Sequence, residues 1–324
     1  MNIGILSTAK IATRSVIPTL LALSEQFKVI GIASRSIEKA TQVSDAFGCK
    51  AYESYDSLLA EDDINAVYIP LPTGLHFEWV TKSLNAGKHV LCEKSLACTF
   101  SETQQMVDLA KSMGLALVEN FQFRFHSQLE TLQKIIRDGM IGEVRTIRSS
   151  FGFPPFPEKD NIRYNKELGG GALLDAGAYM MKVGSILLGK NAKVSSAVWH
   201  VDPKLGVDLH GSGLLINSNT RISAHIAFGF DHFYQCGVEV WGSLGRLRTN
   251  RLFTARADHC PEIDIEIASG CKKIELDTDD HFRKMLQYFH KVCDNDSGAL
   301  RDLEYNQNLI QAQLIQQFRD LANG

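Results

Sequence analysis

The sequence lacks a charge excess, a cysteine pattern and metal-ligand spacing, and each absence narrows the possible functions. Its 37 acidic and 34 basic residues leave a formal charge of −3. That balance disfavours general binding to nucleic acid or to a membrane surface, because both need a basic excess. The seven cysteines form no Cys-x-x-Cys pair, and no cysteine or histidine spacing resembles a zinc site. We therefore expect reduced thiols, a cytoplasmic protein and no metal.

Targeting and membrane-spanning patterns are also missing. No charged region precedes the apolar residues 3–6, so we expect no signal peptide. The longest apolar stretch, residues 168–188, contains Asp175 and Lys182, which would be costly in lipid. We predict a buried loop and helix there, and no membrane span.

The first 120 residues alternate between short apolar runs and helical patterns. Repeated units of this length predict a parallel sheet with helices on both faces. Such sheets bind ligands beyond the carboxyl ends of their strands. Gly48, Gly87 and Gly114 follow three of the helices, where a left-handed cap is expected. The predicted strands are residues 3–6, 28–33, 66–69, 89–93 and 116–119, with a weaker one near residue 51, and the predicted helices are 11–23, 37–47, 75–86 and 101–113.

The pattern changes after about residue 120. Several strands follow one another without intervening helices, which predicts a largely antiparallel sheet, and two helices close the chain. The 324 residues thus predict two domains, 1–120 and 121–324, and leave open whether the last helix packs back on the first domain. The predicted elements are a helix at 129–137, a strand at 143–151, an apolar helix opened by Gly169-Gly170-Gly171, and strands at 194–200, 213–216, 221–228 and 237–241.

The turn after the first predicted strand is where a dinucleotide site holds the pyrophosphate, over a helix N-terminus. Against the pattern G-x-G-x-x-G/A, its three key positions are Ser7, Ala9 and Ala12. All three residues are small, but the first two positions lack the conformational freedom of glycine. An ordinary strand-to-helix turn has the same composition. The position of this one favours a cofactor turn, made of Ser7, Thr8, Ala9, Lys10 and Ile11.

The end of the second predicted strand indicates which dinucleotide binds. An NAD site usually has an acidic residue there, which accepts hydrogen bonds from the ribose hydroxyls. This chain has Ser34, Arg35 and Ser36 instead. Two hydroxyls and a guanidinium suit a 2′-phosphate. We therefore predict NADP(H) over NAD(H), with a solvated surface arginine as the alternative for Arg35.

Three further segments resemble those of the Gfo/Idh/MocA oxidoreductases, a family that includes glucose–fructose oxidoreductase, dihydrodiol dehydrogenase and sugar-nucleotide ketoreductases. They are Ile-Pro-Leu-Pro-Thr-Gly-Leu-His at 69–76, Ala-Gly-Lys-His-Val-Leu-Cys-Glu-Lys-Ser at 86–95, and Glu-Leu-Gly-Gly-Gly-Ala-Leu-Leu-Asp-Ala-Gly-Ala-Tyr at 167–179. The resemblance covers essentially the whole chain. Ser95 departs from it, since the family has proline after the Glu-Lys pair, commonly with a cis bond. A non-proline cis bond costs ~2.5–4 kcal/mol, so we expect either a trans bond or local strain.

The resemblance implies an α/β protein, with an N-terminal Rossmann dinucleotide-binding domain and a C-terminal α/β domain that has an open, mostly antiparallel sheet. In this family that sheet often supports oligomerisation, so we expect a homo-oligomer, a dimer or a tetramer. It also implies hydride transfer at a sugar-like carbon between an alcohol and a ketone or aldehyde. The residues that it places at the cofactor are Pro70, Leu71, Pro72, Thr73, His76, Glu93 and Lys94.

Hydride transfer needs a proton partner for the substrate oxygen, and Lys94 and Tyr179 are the candidates. Tyr179 would be the general acid in the reducing direction, and Lys94 would polarise the carbonyl. A lysine ~4 Å away at an effective dielectric constant of ~20 contributes ~4 kcal/mol, enough to bring a tyrosine pKa from ~10 towards ~7. Asp175, four residues earlier on the same helix face, would orient the substrate or Lys94. The alternative for Tyr179 is an aromatic core residue.

Other candidates have two interpretations each. Thr73 and His76 follow the fourth strand and would flank the nicotinamide, but a lone histidine is also a common structural residue. Arg124 and Arg163 lie near segments expected at the substrate site, and each could bind substrate oxygens or phosphate. Ordinary surface arginines are the alternative.

These observations favour an NADP(H)-dependent reductase of a sugar or nucleotide-sugar ketone, because cells usually keep NADPH for reduction. A dehydrogenase of free aldoses or trans-dihydrodiols would use the same residues. A non-catalytic redox sensor that binds NADP(H) and a protein partner is the third hypothesis, against which the Lys94 and Tyr179 pair argues.

Overall fold

The computed structural model describes residues 1–158 and 160–324. The chain divides into two compact units, each built from two stretches of sequence. The first unit is Met1–Asn120 with Phe282–Leu309, and the second is Phe121–His281 with Ile310–Gly324. Both combine sheet and helix, so the predicted α/β class is confirmed.

The first unit contains a six-stranded parallel sheet in the order β3-β2-β1-β4-β5-β6. Its strands are almost continuously apolar because helices cover both faces. The strand order reverses between β1 and β4, and in sheets of this type ligands bind beyond the carboxyl ends of the strands at such a reversal. The strands are β1 (Asn2–Leu6), β2 (Lys28–Ala33), β3 (Lys50–Tyr52), β4 (Ala66–Ile69), β5 (His89–Glu93) and β6 (Leu117–Asn120).

The helices of this unit begin and end at the residues expected of caps. The Ser36 hydroxyl accepts a hydrogen bond from the Lys39 N–H at the start of α2 (Ile37–Phe47), and Thr99 and Glu102 form a capping box on α5 (Phe100–Met113). Gly48 and Gly114 adopt φ values of 68° and 67° at the helix ends. The helices are α1 (Ile17–Ala22), which follows a π-helical turn at Ala12–Val16, α2 (Ile37–Phe47), α3 (Tyr55–Leu59), α4 (His76–Asn85), α5 (Phe100–Met113) and α8 (His281–Cys293).

The second unit contains an eight-stranded sheet in the order β14-β13-β12-β11-β7-β10-β9-β8. Every pair is antiparallel except β7 with β10, which is parallel. The predicted open, mostly antiparallel sheet is therefore confirmed. The strands are β7 (Val144–Gly152), β8 (Ala192–Val201), β9 (Asp208–Asn217), β10 (Ser223–Gly229), β11 (Gln235–Gly242), β12 (Gly245–Asn250), β13 (Glu262–Ile267) and β14 (Gly270–Glu275).

One face of this second sheet is covered by helices. The helix α7 (Ala178–Leu188) packs on the central strands, where Gly184 lies so close to Leu215 that a Cβ would be 2.7 Å away from it. The end of α9 (Ala299–Asn323) contributes Phe318, whose ring centroid lies 5.4 Å from that of Phe228. The remaining helix, α6 (Ser127–Arg137), precedes β7.

Among the described residues, one helical segment, Lys166–Leu188, is long and apolar enough to cross a membrane. Of its apolar window, 78% is buried inside the protein. A core helix passes the same test, so this is weak evidence for a membrane span.

Candidate active site

The turn after β1 has the backbone geometry of a glycine-rich cofactor loop without its glycines. Ser7 adopts a φ of 150°, a conformation that L side chains rarely take and glycine takes readily. The Ser7 hydroxyl accepts a hydrogen bond from the Ala9 N–H at 3.1 Å, which closes the turn. Ala12 is fully buried, so the third motif position needs a small residue for packing. The turn therefore fits a pyrophosphate above the start of the helix.

At the end of β2, side chains of the type that bind a phosphate lie next to a carboxylate. Ser34 is buried and Arg35 is exposed. Ser36 caps α2 and donates its hydroxyl hydrogen to Glu38 at 2.6 Å, and that bond lowers the pKa of Glu38. The donors fit a 2′-phosphate, but Glu38 places a negative charge beside Ser36. Arg35 would have to outweigh this charge.

His76 links the loop after β4 to the segment after β5. Its Nδ1 lies 2.8 Å from the carbonyl oxygen of Ser95, and its Nε2 lies 2.7 Å from that of Leu71. The ring is fully buried, and burial lowers the pKa of His76. Since both ring nitrogens contact backbone carbonyls, this geometry favours the structural interpretation of His76.

Glu93 is the last residue of β5, and Lys94 follows it. The Glu93 carboxylate accepts hydrogen bonds from the hydroxyl of Tyr68 and the amide of Asn120, both at 2.7 Å. Burial raises the pKa of Glu93, and these bonds and the Lys94 charge oppose that rise. The Lys94–Ser95 peptide bond is cis, so the trans alternative left open by the sequence is wrong.

Tyr179 stands at the start of α7 inside a ring of phenylalanines. Its ring centroid lies 5.1 Å from that of Phe151, and the centroids of Phe121, Phe253 and Phe123 lie within 5.5 to 5.8 Å. Only 7% of Tyr179 is exposed. The ring is therefore a core residue held in one orientation, and that packing would also aim its hydroxyl for chemistry.

Asp175, on the helical segment that carries Tyr179, forms an ion pair with Arg163 from the separate 3-10 turn Ile162–Tyr164. The Arg163 Nε donates to Asp175 Oδ2 at 2.5 Å, and the guanidinium lies 4.7 Å from the centroid of the Phe156 ring. Asp175 raises the pKa of Arg163 most, and Tyr179 adds to the rise. The surface-arginine alternative for Arg163 is thus disfavoured, although its terminal nitrogens could still contact a substrate. Arg124 lies 5.2 Å from the centroid of the Phe125 ring.

The glycine run before this helix reflects close packing. A Cβ on Gly170 would lie 2.5 Å from the carbonyl oxygen of Arg163, and a Cβ on Gly171 would lie 2.2 Å from Oδ1 of Asp208. Sequence reasoning missed Asp208, since an acidic residue at the start of a strand has no distinguishing local pattern. Within residues 1–158 and 160–324, no three histidine, cysteine or acidic side chains are grouped to hold a metal ion.

A dinucleotide-type turn on a parallel sheet, joined to a second α/β unit with a buried tyrosine, is the arrangement of a two-domain dinucleotide-binding protein. The chain belongs to the Gfo/Idh/MocA oxidoreductase family. Residues 1–121 match the family model described as an oxidoreductase family with an NAD-binding Rossmann fold, and residues 129–248 match the GFO/IDH/MocA C-terminal domain. The predicted family is therefore confirmed.

Several relatives match the chain over most of its length. A dTDP-3,4-didehydro-2,6-dideoxy-alpha-D-glucose 3-reductase from Streptomyces violaceoruber is 42% identical and covers 100% of this chain and 96% of its own. A D-xylose 1-dehydrogenase (NADP(+)) from Haloferax volcanii is 32% identical over 94% and 92%. A trans-1,2-dihydrobenzene-1,2-diol dehydrogenase from Xenopus laevis is 33% identical over only 55% and 54%.

The solved structures point in the same direction. A 3-ketoreductase from Actinomadura kijaniata, in complex with NADP and TDP-benzene, superimposes with a TM-score of 0.94 at 35% identity, covering 99% of this chain and 97% of its own. Structures of that enzyme were also solved with one tyrosine replaced by phenylalanine and with one lysine replaced by alanine or glutamate.

Proposed function

We propose that this protein is an NADP(H)-dependent ketoreductase of a nucleotide-linked sugar. The observation that carries the proposal is its full-length similarity to 3-reductases of dTDP-linked keto sugars, at 42% identity. The NADP-bound ketoreductase structure supports the choice of NADP(H) over NAD(H). Residues 1–120 would bind NADP(H), and residues 121–324 would bind the sugar and support assembly, in the cytoplasm.

Tyr179 would donate the proton to the substrate oxygen in the reducing direction. When bound, NADPH supplies the hydride. Lys94 would polarise the carbonyl and favour the tyrosinate that remains after proton transfer. The phenylalanines packed around Tyr179 support this role, because they restrict its ring and exclude water from the ring's faces. Asp175, paired with Arg163, would orient the sugar hydroxyls or Lys94.

The test is removal of the Tyr179 hydroxyl. Tyr179→Phe should lower kcat for a dTDP-linked 3-keto sugar by about 100- to 10,000-fold, the range expected of general acid catalysis. Its NADPH affinity should stay within about twofold, since the cofactor residues are unchanged. Tyr234→Phe is the matched control, because Tyr234 shares a 2.7 Å hydrogen bond with Thr254 elsewhere in the second unit. Full activity in Tyr179→Phe would refute the assignment.

Two other functions remain to be separated by a substrate panel. The relatives that act on D-xylose and on a dihydrodiol make free aldoses and trans-dihydrodiols the second candidate. Oxidation of either compound faster than reduction of a nucleotide-linked keto sugar would replace the present proposal. Tight NADPH binding without turnover of any of these compounds would favour the redox sensor.

The face of the second sheet that α7 and α9 do not cover, here called the helix-free face, is the proposed surface for a homo-oligomer. Trp241 on it is 52% exposed and Val198 is 64% exposed. A groove of ≈ 550 Å³ next to Trp241 is lined by both signs of charge, with Arg148 3.3 Å from Glu239. Alternating charges around an apolar centre are self-complementary, as a two-fold interface requires. We therefore propose a second copy of this chain as the partner, in a dimer or a tetramer.

A further inference from the structure

The helical segment that carries Asp175 and Tyr179 has no cap of its own. The first N–H groups of a helix have no partner within it and need an acceptor from elsewhere. Here the segment opens with a π-helical turn at Leu173–Gly177, and the preceding Ala172 provides no side-chain acceptor. The residue that precedes this turn therefore does not cap it.

A carboxylate from a strand that is distant in the sequence caps this helix start. Asp208 is the first residue of β9, and its Oδ2 accepts a hydrogen bond from the Leu173 N–H at 2.6 Å. The nearby Ala172 N–H also favours the ionised form of this carboxylate and so lowers its pKa. Asp208 is 8% exposed, so the acceptor is shielded from solvent that could otherwise replace it.

Gly171 and Asp208 depend on each other sterically. Gly171 adopts a φ of 114°, and a Cβ there would lie 2.2 Å from Asp208 Oδ1. A side chain at position 171 and the carboxylate at position 208 therefore exclude one another. The last glycine of the Gly169-Gly170-Gly171 run thus makes room for the capping group.

We propose that Asp208 is a positioning residue for the reduction, holding the start of the helix that presents Asp175 and Tyr179. This inference rests on the function proposed above, because it assigns Asp208 a role only through Tyr179. Asp208 itself is not placed at the reacting atoms.

The π-helical turn explains why a cap at this point would matter for geometry. A π turn bonds residue i to i+5 and so holds one more residue than an α turn. Reversion to α geometry would rotate the residues on one side of the turn by about 100° relative to the other side. Asp175 lies inside this turn and Tyr179 lies after it. The hydrogen bond from the Leu173 N–H to Asp208 therefore favours the π-helical turn, and that turn sets the directions in which Asp175 and Tyr179 project.

The electrostatic cost of Asp208 supports a functional role. Burial raises its pKa to about 6, although the N–H groups of Leu173 and Ala172 and the charge of Arg319 on α9 lower it. The ionised carboxylate is thus held at neutral pH against the preference of its site. A residue kept only for stability would be better neutral, and such violations are typical of functional positions.

The experiment compares three variants in steady-state reduction of a dTDP-linked 3-keto sugar. Asp208→Ala removes the acceptor, and Gly171→Ala displaces the carboxylate without removing it from the chain. Both should lower kcat by about 10- to 100-fold, the loss expected for misplaced catalytic groups, with KM and NADPH affinity within about twofold. Asp208→Asn retains a side-chain oxygen and should recover kcat to within about threefold of the wild type.

Asp202→Ala is the matched control for general destabilisation. Asp202 accepts hydrogen bonds from the N–H groups of Lys204 and Leu205, at 2.8 and 3.0 Å, in the loop between β8 and β9. It should lower the melting temperature without changing kcat. If Asp208→Ala fails to fold, Asp208→Ser, a shorter capping acceptor, takes its place and should fall between the wild type and Gly171→Ala.

Two further readouts separate this proposal from the proposed function. Hydrogen exchange should show loss of Leu173 amide protection in Asp208→Ala, whatever the substrate is. Adding Asp208→Ala to Tyr179→Phe should slow the enzyme by no more than about threefold, because the two changes act through one group.

An unchanged kcat in Asp208→Ala, or an Asp208→Asn variant as slow as Asp208→Ala, would overturn the positioning role. An active Tyr179→Phe would instead overturn the proton donor.

Discussion

Two serines stand where the family pattern has glycine or proline, yet the backbone conformation at each position follows the pattern. Ser7 stands where glycine is expected, yet its backbone keeps the φ of 150°. Ser95 stands where proline is expected, yet the bond before it is cis. The family pattern identified both positions, but serine by itself favours a negative φ at position 7 and a trans bond before position 95. The Ser7 hydroxyl accepts a local hydrogen bond from the Ala9 N–H, and the Ser95 carbonyl lies 2.8 Å from Nδ1 of the buried His76.

The cofactor preference can be tested at Arg35. Arg35→Ala should weaken NADPH binding by about 10- to 100-fold, since one charge-assisted hydrogen bond to phosphate is worth about 1.5–3 kcal/mol. NADH affinity should change by less than about threefold. The reverse control is Glu38→Gln, which removes the nearby carboxylate and should strengthen NADPH binding. Titration of cofactor fluorescence measures both, and equal losses for NADPH and NADH would show that Arg35 does not recognise the 2′-phosphate.

Asp208 also predicts a pH dependence of stability. Its pKa is about 6 in the folded protein against an ordinary value of 3.8, so the folded state binds the proton more tightly and loses stability as the pH rises from ~4 to ~6. At pH 7.5, Asp208→Asn should be more stable than the wild type by up to ~3 kcal/mol. Below about pH 4 the gain should disappear. Urea denaturation at pH 4, 6 and 7.5 provides the measurement, and a pH-independent difference would contradict it.

At the scale of elements, local patterns predicted more of the first unit than of the second. The strands β2, β4 and β5 match their predicted bounds, because each has a short apolar run at its centre. The short helix α3 was missed, since five residues at 55–59 show too little periodicity to be distinguished. The parallel pairing of β7 with β10 was also missed. Pairing between residues 77 positions apart depends on packing, which a local pattern does not contain.

The loops after β4 and β5 act as one unit through His76. His76→Gln should destabilise the fold by about 1–3 kcal/mol, because at least one of the buried carbonyls of Leu71 and Ser95 loses its donor. NADPH affinity should fall with it, if these loops contact the cofactor as proposed. His225→Gln, on the exposed side of β10, is the control and should leave stability within about 0.5 kcal/mol. Equal unfolding curves for His76→Gln and the wild type would contradict this linkage.

At the scale of the whole molecule, the chain passes between its two units more than once. The helix α9 contributes residues 299–309 to the first unit and 310–323 to the second. In the first, the amide of Asn308 donates to the Leu117 carbonyl at 3.0 Å; in the second, Gln311 donates to that of Ala178 at 2.8 Å. Periodicity predicted the helix but not these partners, because it does not indicate which face meets which strand.

The proposed oligomer is tested on the helix-free face of the second sheet. Trp241→Ala combined with Val198→Asp should convert the assembly to monomers, because it removes the apolar centre and adds an unpaired charge. Leu205→Asp, at an exposed site in the β8–β9 loop, is the control and should leave the mass unchanged. Light scattering coupled to gel filtration measures the mass. A wild type that is already monomeric would refute the proposed surface.

By itself, the sequence determined the family and the alternation of strands and helices, and it proposed Lys94, Asp175 and Tyr179 as site residues, because these depend on order and spacing along the chain. The tertiary structure alone decided what surrounds them. Arg163 meets Asp175 across 12 residues, and Asp208 meets Leu173 across 35. The phenylalanines around Tyr179 come from separate elements. Such contacts arise only when folding brings distant segments together, and they decide which side chains are held and how they are charged.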